Sequence, residues 1–137
     1  MTITIDQLID DLGLTYSRDA DGSPNTLRPP NPVPPVGTLY VIVQETGDSR
    51  TVQLQGGPQD RTLLVLVSVY GAPDTAAGRW QVKVVLAHLK ARAKEVTAHA
   101  GIRLRECLPT DGQPVTRDSA TNTAYGSVRF ALSYTSP

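Results

Sequence analysis

The stretch RTLLVLVSVYGAPD, from Arg61 to Asp74, constrains this chain more than any other part of it. Alternate side chains of a β-strand point to opposite sides of a sheet. Here both sides are apolar, with Leu63, Val65, Val67 and Val69 on one and Leu64, Leu66 and Tyr70 on the other. A strand of this kind lies inside a sheet that is covered twice. The covers must come from the rest of the chain or from a neighbouring molecule.

One cover is evident in the pattern. From Thr75 to Ala100 the residues Val82, Leu86, Leu89, Ala93, Val96 and Ala100 recur at three- and four-residue spacing, which predicts a long helix with an apolar stripe, stopped by Gly101. Ahead of the sheet, TIDQLIDDLGL predicts a short helix capped by Thr4, with Ile5, Leu8, Ile9 and Leu12 on one face and Gly13 at its end. Strands are predicted at TLYVIVQET, RTVQLQ and the Arg61 stretch, joined by turns at GDS and GGPQD into an antiparallel meander. IRLREC and AYGSVRFALSY supply two more, the last placing Val128, Phe130, Leu132 and Tyr134 on one side. The expectation is an α+β fold: a mixed, mainly antiparallel sheet of about five strands, a long helix on one face and a short N-terminal helix.

Two segments lack periodicity. Residues 15–36 hold six of the eleven prolines, among them Pro29, Pro30, Pro32, Pro34 and Pro35, and read as an extended polyproline-like arm that orders on a neighbour. Residues 109–122 carry turn chemistry throughout and read as a hairpin tip. The 137 residues suffice for one core, so positions 1–137 are expected to form a single domain.

Charge and chemistry narrow the function. Thirteen basic and thirteen acidic residues cancel, which argues against the broad positive field of a nonspecific nucleic-acid binder. On the long helix Arg79, Lys83, Lys90 and Lys94 form a basic row suited to an acidic partner. Cys107 stands alone, excluding an internal disulfide and a multi-cysteine zinc site. His88 and His99, about 16 Å apart on a helix, are too distant to share a metal. Asp19, Asp21 and Asn25 begin a calcium-loop pattern that Pro24 and Pro30 break. No nucleophile–base pair or phosphate-cradling loop appears, so neither an enzyme nor a cofactor is expected. MTITIDQLIDDL has acids where a signal peptide needs basic residues, and no run reaches membrane-spanning length, so synthesis and first folding are expected in a cytoplasm.

The order of parts carries a resemblance. Acidic N-terminal helix, proline-containing segment, GTLYVIVQE, the strand ending VSVYGAPD, a long helix and a last strand SVRFALSY together resemble the tail terminator, or tail completion, proteins of long-tailed bacteriophages, over about Ile3 to Tyr134. The resemblance implies a six-copy ring on the head-proximal end of the tail tube, in the virion. Its partners would be its own copies, the major tail tube protein and a head-completion or neck protein, with DNA passing through the lumen and no membrane involved. On that reading Leu64, Leu66, Tyr70 and the arm prolines serve subunit contacts, while the basic row with Arg103, Arg105 and Arg129 meets partner rings. Burying the three side chains of the second sheet face would be worth roughly 5–8 kcal/mol. Three alternatives stay open: the first helix of the same chain covers that face; the protein is a head–tail connector of the same virion; or it is a non-viral protein-binding module.

Overall fold

The Arg61 stretch becomes the central strand of a six-stranded sheet. The structure, a computed structural model, describes residues 3–19, 29, 32, 34–50, 59–119 and 122–136. In chain order the elements are β1 (Ile3–Thr4), α1 (Ile5–Asp10), β2 (Thr15–Asp19), β3 (Tyr40–Arg50), β4 (Gln59–Pro73), α2 (Ala76–Arg92), a 3-10 turn (Ala93–Glu95), β5 (Val96–His99), β6 (Ile102–Arg103), β7 (Glu106–Pro109), β8 (Thr116–Asp118) and β9 (Thr123–Ser136). The main sheet runs β2-β3-β4-β9-β7, with β8 also on β9, and a small sheet runs β1-β5-β6. Among the described strands, only β2–β3 and β1–β5 pair in parallel. The fold is the expected α+β architecture, a mixed and mostly antiparallel sheet with one long and one short helix.

Strand parity holds as the sequence requires. Val43, Val67 and Val128 face one another across β3, β4 and β9, all fully buried. The α2 side chains Val82, Leu86 and Leu89 close on that row. Thr75 caps α2 through the Gly78 N–H, and a side chain at Gly78 would meet the Pro73 carbonyl oxygen at 1.9 Å, so helix and strand end can approach this closely only through glycine. Thr4 caps α1 in a reciprocal capping box with Gln7.

Three local expectations are overturned. The predicted helix from Thr75 to Ala100 ends as an α-helix at Arg92; Val96–His99 is strand β5, pairing with β1 and β6, and Ala100 is exposed at φ 52°. Ala100 and Gly101, both at positive φ, form the two-residue hairpin turn joining β5 to β6. The predicted turn at Gly47–Ser49 lies inside β3, which pairs directly with β4 as far as Arg50↔Arg61. Hence no RTVQLQ strand separates them; residues 51–55 of that prediction lie outside the described residues. IRLREC is likewise two strands, β6 and β7, in different sheets, with Leu104 buried at the crossing.

The expected arm over residues 15–36 is also corrected at its start: Thr15–Asp19 is strand β2, paired in parallel with β3. Parallel neighbours need a long connection, and twenty residues separate Asp19 from Tyr40 in the sequence. Within the expected 109–122 tip, β8 pairs with β9, and Thr110 and Gln113 hydrogen-bond to the β9 residues Arg129 and Ser127. This stretch is therefore tied along a strand edge.

Candidate functional site

The second sheet face carries Leu64, Leu66, Tyr70 and Arg129 from among the residues singled out in the sequence. Helix α1 does not cover it: Ile5, Leu8 and Ile9 join the same core as Leu89, Val65 and Val96, on the side of α2. The alternative in which the first helix covers Leu64, Leu66 and Tyr70 is thereby excluded. The small sheet contributes Val96 and Leu104 to that core too. The opposite face carries Leu64, Leu66, Ser68, Tyr70, Ser127, Arg129 and Ala131 by strand parity; Ser68, Tyr70 and Ser127 are buried and the other four are half-buried.

At one end of this face three tyrosines stack across three strands. Tyr40 and Tyr70 have centroids 5.6 Å apart and Tyr70 and Tyr125 5.2 Å, with planes 14° and 6° from parallel. Ile42 completes this second apolar cluster. Offset aromatic stacking adds to area burial, and it leaves Tyr70 only 6% exposed. Burial, and then the Asp118 charge, push the Tyr70 and Tyr40 phenols above their ordinary range, so both stay protonated donors. Gly71, at φ 101°, makes the bulge that turns this end; a side chain there would sit 2.1 Å from the Thr38 carbonyl oxygen.

The structure brings together Leu66, Tyr70 and Arg129. They line one concavity of about 440 Å³ with Asp111, Gln113 and Tyr125. Gln113 accepts a hydrogen bond from the Tyr125 hydroxyl at 2.8 Å, which fixes the rim. Beyond that rim a second concavity of about 410 Å³ lies between Lys83 and Lys90 on one side and Pro114 and Val115 on the other. The other predicted residues are dispersed. Arg79 pairs with Asp74 at 2.8 Å and Arg105 with Asp60 at 3.4 Å, while Lys94 and Arg103 are exposed elsewhere. Pro29, Pro32 and Pro35 are exposed and Pro34 half-buried; Pro30 lies outside the described residues. Because Tyr70 is already buried and Leu64 and Leu66 are half-buried, covering the three would add only on the order of 1 kcal/mol. The larger sequence-based figure is corrected accordingly, and a partner here must also use the polar and aromatic rim.

A half-buried polar cluster surrounds the fully buried His99. Arg18 Nη1 donates to Asp6 Oδ2 at 2.8 Å, and His99 Nε2 lies 3.1 Å from Arg18 Nη2 and 3.2 Å from Glu45 Oε1. One ring nitrogen cannot accept from Arg18 and donate to Glu45 together, so the contacts belong to alternative tautomers. Burial, then Arg18, lower the pKa of His99 and keep the ring neutral, with Glu45 opposing. These residues tie β5 and α1 to β2 and β3. Helical periodicity puts His99 on a helix, where no partner is legible, whereas it ends strand β5. Trp80 and the tyrosine stack were also missed; the parity of Tyr40, Tyr70 and Tyr125 within their strands was the available signal.

Among the described residues, no group of three or more His, Cys, Asp or Glu side chains is placed to hold a metal, and no helix is long and apolar enough to cross a membrane. No protein-family model matches the chain, and no curated protein matches its sequence.

Proposed function

We propose that this chain is a ring-forming tail terminator of a long-tailed bacteriophage. One observation supports the reading: both helices and the small sheet pack into the core on one face of the main sheet, while the other face holds a separate tyrosine cluster and the half-buried Leu64, Leu66 and Arg129. Such a face suits lateral contact between copies. The order of elements supports the same assignment through its resemblance to that family.

A tube of stacked rings grows until something binds its end better than another tube ring does. A terminator therefore offers one face that resembles a tube subunit and another that refuses it. Six copies closing laterally through the half-buried part of the second sheet face would leave DNA a central passage, and the groove between Lys83 and Lys90 would suit an acidic side chain of the tube or head-completion ring. No substrate turnover enters this role. Deleting the gene should give full heads beside free tails of excessive and irregular length, seen by electron microscopy. Normal-length tails joined to heads would refute the assignment; normal-length free tails would make the protein a neck connector instead. A protein encoded apart from any phage genes that stays monomeric would be a non-viral binding module.

A further inference from the structure

Trp80 is the chain's only tryptophan, and it stands 66% exposed on α2. One turn on, Val84 is 50% exposed, and Val36 is 69% exposed. Single exposed apolar residues are ordinary, but a lined concavity is not. Between α2 and the chain entering β3 lies one of about 470 Å³, walled by Leu14, Leu39, Trp80, Val84 and Val85 with Gln81 at its side. Among the described residues, no charged side chain lines it.

This chemistry selects its occupant. An uncharged segment with unpaired backbone carbonyls would receive donors from the indole N–H and the Gln81 amide, and proline rings pack well on an aromatic face. Proline also loses little conformational freedom on docking. The chain carries such a segment: residues 29–35 are five prolines with Asn31 and Val33, and no charge. Pro29, Pro32 and Pro35 are exposed in their own chain, and among the described residues no proline joins either apolar cluster. The segment's far end is rooted at the groove's own lip, where the Thr38 N–H donates to the Pro35 carbonyl at 3.1 Å around Gly37 at φ 99°. Seven polyproline residues span about 20 Å, enough to leave that lip and reach an adjoining molecule.

We propose that the proline-rich segment of one copy lies in the Trp80 groove of a neighbouring copy. The contact requires only that copies associate, and it stands or falls separately from the tail assignment.

Two full-length variants test it. In one, Pro29, Pro30, Pro32, Pro34 and Pro35 all become Ser, leaving the groove intact; the other is Trp80→Ala, leaving the segment intact. Each alone should associate at least about tenfold more weakly than the parent chain in sedimentation, the loss expected for a tryptophan anchor. Mixed together they should form a heterodimer. Its only tryptophan belongs to the groove-bearing copy, so emission should move to shorter wavelength as the Trp80→Ala protein is titrated in. Val84→Glu, at an exposed position, should weaken association as Trp80→Ala does. The proposal is overturned if the mixture shows neither heterodimer nor spectral shift, or if Trp80→Ala associates as tightly as the parent. It is equally overturned if parent Trp80 emission is short-wavelength at every dilution, which would place the segment in its own groove. A Trp80→Ala ring that still forms would leave the tail reading standing and remove only this contact.

Discussion

Leu66 and Val67 are adjacent in β4 and point to opposite faces, one half-buried and one fully buried, so the same substitution at each separates the second face from the core. Val67→Asp places a carboxylate in the row formed by Val43 and Val128, where all three side chains are fully buried. An unpaired charge there costs several kcal/mol, a large part of the roughly 7–20 kcal/mol expected for a domain of this length. Leu66→Asp loses only partial burial and some strand propensity, together about 2 kcal/mol. Arg129, its cross-strand neighbour, offers the new carboxylate a counter-charge. In urea melts of monomeric protein, followed by circular dichroism, Leu66→Asp should lower the midpoint by about 1 M and keep a cooperative transition. Val67→Asp should be unfolded or nearly so without denaturant. Sedimentation at higher concentration should then show that Leu66→Asp no longer associates. If both variants unfold alike, the second face is covered from within its own chain; if Leu66→Asp folds and associates normally, that face is not a subunit contact. Either result refutes the reasoning.

Other outcomes follow from single sites. His99 has a folded pKa below its ordinary 6.5, so the unfolded chain binds the extra proton as pH falls below that value, and stability should drop with acid and level off above it; His99→Gln should flatten the slope of thermal midpoint against pH. Gly71→Ala puts a side chain 2.1 Å from the Thr38 carbonyl oxygen at φ 101°, and should cost more than about 3 kcal/mol in chemical denaturation. Cys107 is buried, its thiol pushed up to about 12 by desolvation. It should resist a thiol reagent at mild alkaline pH until denaturant is added.

Much of this architecture is local in origin. The alternation in β4 and β9 decides which side chains face the core, because a strand's two faces are distinguished by every second residue whatever it pairs with. Thr4 with Gln7, and Thr75 before Ala76, mark two helix starts through caps that depend only on neighbouring residues. The apolar content of both faces of the Arg61 stretch also required a central strand, and β4 lies between β3 and β9.

Distant partners decided the rest. Ala93 and Val96 continue the α2 stripe and are buried, but a strand buries Val96 equally well. What ends the helix is the pairing of β5 with β1, together with the Arg18–Glu45–His99 contacts, supplied by residues more than fifty positions away. Local periodicity carries no information about such partners. The same holds for β3, which runs through a Gly-Asp-Ser turn signal because β4 offers it a ladder as far as Arg61. The side on which α1 packs was equally invisible, since Ile5, Leu8 and Ile9 form an apolar stripe that would suit either face of the sheet. Only the assembled sheet gathers Leu66, Tyr70 and Arg129 around one concavity and leaves Trp80 beside a groove, because these placements depend on strand order and on which layers the chain has already used.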